Sequence, residues 1–397
     1  MSGITGIGTT FDLPNYHGEL INISPSDTPL LSAIGGLSGG GQTASTSFEW
    51  QTEDLRSPEI RPRLEGADAP TAESRVRDNV DNVVQIFHEA VSTSYTKQAA
   101  TGQYATPGTS PFYSADGSPN PVGNEHAHQV MLALRTIATD VNFAFWHGKM
   151  VKPATNSTAR ATGGLFEAAT TNRFAAGEVA AVATASDTIT STSNGLSNGD
   201  RIAFTSIAAT GLRYDRVYFV VSAAAGTFKV AATLGGSAIT LGNGTVSYIA
   251  ADVPVSVDGV NSLLQSVFDN GGISQGATAT LFVPSTQKVK VSKAYADAYG
   301  KADPLDGRNV GGVSVEAIVT DFGTLNIAID RALPADSIAV VSAEQLAPVF
   351  LNTPNKGVLF EEELAKTGSS DKTQIYGEIG LKYGNERSHG VLRGLTV

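Results

Sequence analysis

The sequence predicts an α+β protein carrying a small inserted all-β domain, on three observations. Apolar residues recur at helical spacing between Pro121 and Gly148. Between Phe174 and Ala251 the text becomes short β-like runs, poor in charge and separated by Gly/Asn turns. From Asp252 onward helical and strand-like segments mix again. With 397 residues, the chain is long enough for two or three compact units, and its 41% hydrophobic content is ordinary for a globular protein.

The segment Phe11–Gly41 is apolar enough to need burial, yet Pro14, Pro25, Pro29 and a run of glycines from Gly35 break it into pieces too short for stable elements of their own. No Lys or Arg occurs in the first 49 residues. From Glu53 to Asp78 charges of both signs crowd together with Pro58, Pro62 and Pro70. Strand-like text flanks this stretch: Phe48 and Trp50 before it, and Val83, Phe87, Val91 and Tyr95 on one face after it. Two strands joined by a long charged connection predict a protruding hairpin; the alternative is a surface loop without structure.

Asn120 is suited to cap the next helix and Pro121 to its first turn. Val130, Leu134, Ile137, Val141 and Phe145 form its apolar stripe, and Gly148 ends it, giving a strut on the order of 40 Å long. The β-like runs that follow are DTITST, DRIAFTS, RVYFVVS, TFKVAAT and TVSYIA. Then come a helix at VNSLLQSVFDNGG, a buried strand at TATLFVPS, a helix at TQKVKVSKAYADAYG, and strands at GVSVEAIVT, LNIAIDR and SIAVVS. In the tail Ile375, Ile379, Leu381 and Tyr383 alternate with polar residues, and GNERSHG leads into VLRGLTV to close an expected terminal hairpin.

Chemistry-bearing patterns are sparse. The chain has no cysteine, hence neither disulfide nor thiolate ligand. G-x-S-x-G occurs at Gly36–Gly40 and Gly195–Gly199, but neither stands between a strand and a helix as a nucleophile elbow requires. His126 and His128 are two apart on the expected helix, so they face different ways; His147 lies far beyond, and His17, His88 and His389 are isolated. No catalytic residue, cofactor or metal site is expected. The opening residues lack the pattern of a secretion signal, and no apolar run reaches transmembrane length, so no membrane partner is expected. A net charge of −11 disfavours a broad nucleic-acid or anionic-membrane face, while leaving room for a local basic patch.

Taken in order, FDLPNYHGEL, SPSDTPLLSAIGG, FEWQT, EGADAPT, VQIFHEAVSTSYTKQA and NPVGNEHAHQVMLALRTIATDVNFAFWHG resemble a family of tailed-bacteriophage major capsid proteins with the HK-ninety-seven-type fold. The resemblance is close over roughly the first 170 residues and looser from 252 to 397; residues 174–251 depart from it and are similar to small β modules of phage structural proteins. It implies an N-terminal arm (1–46), an extended E-loop hairpin (47–97), a peripheral (P) domain with a long spine helix (98–173), an inserted β domain (174–251), an axial (A) domain (252–344) and return strands of the P domain (345–397). It implies a structural protein that self-assembles as pentamers and hexamers into an icosahedral shell around double-stranded DNA. Expected partners are copies of itself, scaffold and portal proteins, possible decoration proteins, and packaged DNA enclosed without sequence-specific contacts. The expected location is the virion, after assembly in the host cytoplasm. The alternative function is a β-rich phage surface, decoration or adhesion protein that forms no shell.

On that architecture, neighbours are expected to bury the arm's Leu13, Leu20, Ile23 and Leu30; an arm packed on its own P domain is the alternative. The E-loop carries Glu53, Asp54, Arg56, Glu59, Arg61, Arg63, Arg75 and Arg77 as expected intersubunit contacts, against the reading of a merely solvated loop. Lys97, the first lysine, lies at the hairpin base, so a lysine-mediated covalent lock on the loop is not expected.

Overall fold

The computed structural model describes residues 26–56, 58–71, 74–99, 125–175, 179–192, 194–273, 279–298, 317–320, 322–366 and 368–397. The expected caps Asn120 and Pro121, and Leu13, Leu20 and Ile23 of the arm, lie outside these residues.

The chain starts with a short helix α1 (Pro29–Ala33) and strands β1 (Gly41–Thr43), β2 (Ser47–Thr52), β3 (Asp78–Val83) and β4 (Gln85–Ser94). A one-turn helix α2 (Tyr95–Ala99) precedes the long helix α3 (Glu125–His147), whose 23 residues span about 35 Å. Neither Pro nor Gly interrupts α3, and it stops at Gly148, whose N–H donates to Ala144 O at 2.7 Å. A Cβ at Gly148 would stand 2.2 Å from Thr162 O, so only glycine lets the returning chain pass. Ile137, Val141, Phe145 and Trp146 are buried on the inner face of α3, whereas Leu134 at the same spacing is 39% exposed. Tyr95 does not continue the β4 face as the alternation predicted. Ser94 Oγ accepts from Lys97 N at 3.2 Å, an N-cap bond that turns the chain into α2 and leaves Tyr95 exposed.

The sheet under α3 is organised by one long strand. After α4 (Leu165–Ala168) and β5 (Arg173–Ala175), the barrel strands are β6 (Val179–Thr184), β7 (Thr188–Thr190), β8 (Arg201–Ile207), β9 (Val217–Ala224), β10 (Thr227–Ala231) and β11 (Gly244–Ala250). Helix α5 (Val257–Asp269), strand β12 (Ala279–Val283), helix α6 (Ser285–Ala298) and strands β13 (Ala317–Thr320), β14 (Gly323–Ile329), β15 (Ile338–Val341), β16 (Ala347–Leu351), β17 (Leu359–Glu363), β18 (Ser370–Lys382) and β19 (Gly390–Arg393) complete the chain. β18 pairs antiparallel with β4 from Ser370↔Ser94 to Ile379↔Gln85; β17 and then β16 occupy its other edge. β1 adds in parallel outside β16. Ile375, Ile379 and Leu381 point into the core shared with α3, α1 and Phe87.

That core corrects one expectation. Leu30 is 0% exposed and, with Leu31 and Ile34, packs inside the chain's own core. Leu30 is therefore no intersubunit contact. The turn after Pro29 gives α1 an apolar side that fits against α3, and Leu31 N donates to the buried Asn142 Oδ1 at 3.0 Å.

The expected terminal hairpin does not form. Both edges of β18 are occupied, so β19 has no free edge there and joins a second sheet of order β13-β14-β12-β15-β19-β5. The last strand thus belongs with the 252–344 segment and not with the sheet under α3. Gly390 makes this possible, since a Cβ there would lie 2.6 Å from Val267 Cγ2 and 2.9 Å from Leu263 Cδ1 of α5. Arg393 and Asp336, 3% and 0% exposed as side chains, pair bidentately at 2.9 and 3.2 Å and tie β19 to the β15 approach. α5, capped by Ser256 Oγ accepting from Gly259 N, buries Val260, Leu263, Leu264 and Val267 against this sheet.

Between β5 and residue 253 the chain forms a closed barrel, β10-β7-β6-β11-β8-β9, around Ile189, Phe204, Val220, Phe228 and Tyr248. Its first strand, β6, is absent from the sequence-based expectation: VAAVAT turns Ala181 and Ala183 inward and leaves Val182 48% exposed, so hydrophobic contrast is inverted. Phe174, where the β-rich stretch was expected to begin, sits in β5 and pairs with Leu392 of the body. The barrel leans on the body through Tyr214, whose ring stacks on His147 at 5.6 Å; Phe166 stacks on the same imidazole at 5.2 Å. His147 Nε2 donates to Ala332 O at 2.7 Å, and burial holds its pKa down at about 4, so the ring is neutral at pH 7.

Candidate assembly surfaces

The hairpin β2–β3 pairs in register from Ser47↔Val83 to Thr52↔Asp78, and its base is fixed to the body. Asn82, fully buried, donates to Leu381 O at 2.7 Å and Gly163 O at 3.1 Å and accepts from Gly163 N at 2.8 Å. Trp50 donates to Gly384 O at 2.7 Å and meets Tyr383 edge-on at 4.8 Å. Lys152 pairs with Asp81 at 2.7 Å.

Beyond Thr52 and before Asp78 the chain leaves the body. Leu55, Ile60, Leu64 and Val76 are 86%, 96%, 85% and 87% exposed. Four large apolar side chains on one loop, open to water, form a surface that gains stability when another molecule covers it. The loop's charges dominate its sequence and mask these residues. Their signal was an apolar residue recurring in proline-rich charged text without helical or strand period.

The charges of the loop are partly matched within it. Arg56 and Arg61 both reach Glu59, at 3.2 and 2.8 Å; Arg63 donates to Asp68 O at 3.3 Å; Arg77 donates to Gln51 Oε1 at 3.1 Å. Asp54 lies 4.0 Å from Arg387 of the body. Glu53 lies at the root of the descending limb and Arg75 on the ascending limb. These pairs are solvent-exposed and contribute about 0–1 kcal/mol each.

Below the hairpin base a cleft of about 1130 Å³ opens between β2–β3, the 163–170 segment, residues 344–347 and the 382–387 turn. Trp50, Leu346 and Tyr383 line it with six carboxylates, among them Glu53, Glu344 and Glu386, against two cations, Lys382 and Arg387. Glu386 stays ionised below the usual carboxylate range, because hydrogen bonds from the hydroxyls and N–H groups of Thr170 and Thr171 outweigh its burial.

The root of the arm is held by an ion pair. Asp27 meets Arg331 at 3.0 Å, which holds the Asp27 carboxyl below its ordinary pKa. The two G-x-S-x-G stretches lie in turns, Ser38 after α1 and Ser197 in a barrel loop where its N–H donates to Asp200. His126 bridges the hydroxyls of Thr93 and Thr373 at 3.0 and 2.7 Å, a packing role. Among the described residues no group of three or more His, Asp or Glu is placed to hold a metal ion, and no helix is long and apolar enough to cross a membrane.

A family model described as SU10 major capsid protein matches residues 3–396. No curated protein matches the chain. Among solved structures, the fold is similar to that of the capsid asymmetric unit of Cyanophage A-1(L), with 11% identity and a TM-score of 0.57 over 97% of this chain and 97% of that one. It is also similar to the capsid of Cyanophage P-SCSP1u, with 10% identity, a TM-score of 0.51 and coverage of 96% and 93%. A chain of Microbacterium phage Oxtober96 matches at 10% identity and a TM-score of 0.50, over 96% and 95%.

Proposed function

The chain belongs to the SU10 major capsid protein family, and from that premise we propose how it closes a shell: the E-loop and the arm clasp neighbouring copies, and pentamers and hexamers join into an icosahedral particle. Membership and the HK-ninety-seven-type fold make the protein a shell-forming structural component of the virion capsid, not a decoration protein and not an enzyme. The observation that carries the clasp is the exposure of Leu55, Ile60, Leu64 and Val76 on a hairpin whose base is rigidly fixed. A rigid root with an apolar end extends a contact beyond the subunit's own perimeter, and identical contacts of this head-to-tail kind terminate only in closed symmetry. Arginine forks on the loop add pairs with carboxylates of the neighbour. The enclosed DNA is held without sequence-specific contacts, in keeping with the net charge of −11. The barrel stands on the outer face, available to neighbouring capsomers or to other partners.

Electron microscopy of the purified full-length chain tests this. Closed particles with fivefold and sixfold capsomers are expected. A chain that stays monomeric at high concentration, or forms only open sheets, would refute the closure.

A further inference from the structure

Resting on the clasp reading above, we propose that the acidic cleft beneath the hairpin base is the receptor for residues 55–64 of the E-loop of a second copy. The two surfaces complement each other in charge. Residues 55–64 carry three arginines, Arg56, Arg61 and Arg63, against one carboxylate, Glu59. The cleft carries six carboxylates against two cations. They also complement each other in polarity. Ile60 and Leu64 are almost wholly exposed, and the cleft presents Trp50, Leu346 and Tyr383.

The cleft is built to stay open and charged. Trp50 and Tyr383 brace each other edge-on, and the Trp50 indole is tethered to Gly384 O. Four hydrogen bonds fix the Glu386 carboxylate in its ionised form. Arg387 lies 4.0 Å from Asp54 and 3.9 Å from Glu386, and six carboxylates against two cations still leave the cleft an acidic excess. The donor is the end of the hairpin, and the receptor lies at its base, between β2–β3 and the 163–170, 344–347 and 382–387 segments of the body. Each copy then offers its tip to the next and receives one from the previous copy, the heterologous arrangement that generates rings.

The wild-type protein supplies the test. Shells assembled from an equal mixture of isotopically light and heavy chains are treated with a carbodiimide, which couples a carboxylate to an amine with loss of water. Peptides joining Lys382 to Glu59 or Glu65 in the light–heavy form are expected. Assembled shells in which Lys382 couples elsewhere or not at all would overturn the assignment, and coupling to Asp12 or Glu19 would give the cleft to the arm instead. A mixture that forms no shells would refute the clasp reading itself. As a second readout, the cysteine-free background permits the double variant Ile60→Cys/Gln345→Cys. Oxidised shells of that variant should run as a ladder in detergent, whereas each single variant should not run beyond a dimer; a double variant that assembles without a ladder counts against the cleft.

Discussion

Asp330 is fully buried and accepts the indole N–H of Trp146 at 2.9 Å. Its other oxygen accepts from Ala332 N at 2.8 Å, and Asn142 Nδ2 reaches the carboxylate at 3.2 Å while its own Oδ1 holds Leu31 N. One carboxylate thus joins the long helix, the β14–β15 turn and the root of the arm. Replacing Asp330 by Ala leaves two buried donors, Trp146 Nε1 and Asn142 Nδ2, without that acceptor, each costing about 1–3 kcal/mol, and frees the half-buried Ala332 N. Urea unfolding of the unassembled chain should show a loss of at least about 2 kcal/mol, and a loss below about 1 kcal/mol would deny the junction its role.

The arm divides at Asp27. Removing residues 1–26 leaves α1 and the Asp27–Arg331 pair in place. Removing residues 1–41 strips Leu30, Leu31 and Ile34 from the core, worth about 1.5–3 kcal/mol each, and should lower stability by several kcal/mol. If both truncations melt alike, α1 is not part of the core in solution. Loss of normal shells with the shorter truncation is the outcome expected from an arm that clasps neighbours.

Changing Ile60 and Leu64 to Ser should leave the unassembled chain within about 0.5 kcal/mol of wild type, because both side chains already face water. Shell yield by light scattering should fall. Charge reversal at Arg61 and Arg63 should weaken shells more at low salt than at high salt, because screening mutes both the lost attraction and the new repulsion. Without a lysine on the loop, mature particles boiled in detergent should give one band near the 41.1 kDa monomer; a covalent ladder would contradict a noncovalent lock.

His147 sets a pH dependence. Burial lowers its folded pKa to about 4 from an ordinary 6.5, so between these values the unfolded chain binds the extra proton. Stability is therefore fully present above about pH 6.5 and falls as pH drops toward 4, by on the order of 3 kcal/mol. The buried His389, also lowered by desolvation, adds in the same direction. His147→Gln should flatten the fall in the melting temperature across this window; an unchanged slope would assign the dependence elsewhere.

Limited proteolysis of intact particles should cut first in the barrel loops, for instance near Leu234, which is 69% exposed. Complete protection of residues 179–250 in closed shells would place the barrel inside.

Composition and period alone determined much of this protein. The helical stripe through Ile137, Val141 and Phe145, the helix at VNSLLQSVFDNGG, and β runs such as DRIAFTS and TVSYIA each carry their instruction locally, in side-chain spacing and turn chemistry. A protruding connection was legible for the same reason, because charge and proline exclude it from any core, but its returning strand is β3 (Asp78–Val83), and the expected one, β4 with Phe87 and Val91, pairs with β18 in the body sheet instead. Tertiary structure decided the rest. Leu30 reads as an arm residue until α3 supplies a surface for it. β19 reads as the partner of β18 until β4, β16 and β17 take both of that strand's edges. The acidic cleft gathers residues from positions 50 to 387, and no local pattern announces carboxylates that converge from five separate segments. Burial, edge occupancy and convergent charge are properties of the packed chain: each depends on which surfaces remain free once every other element has found its place.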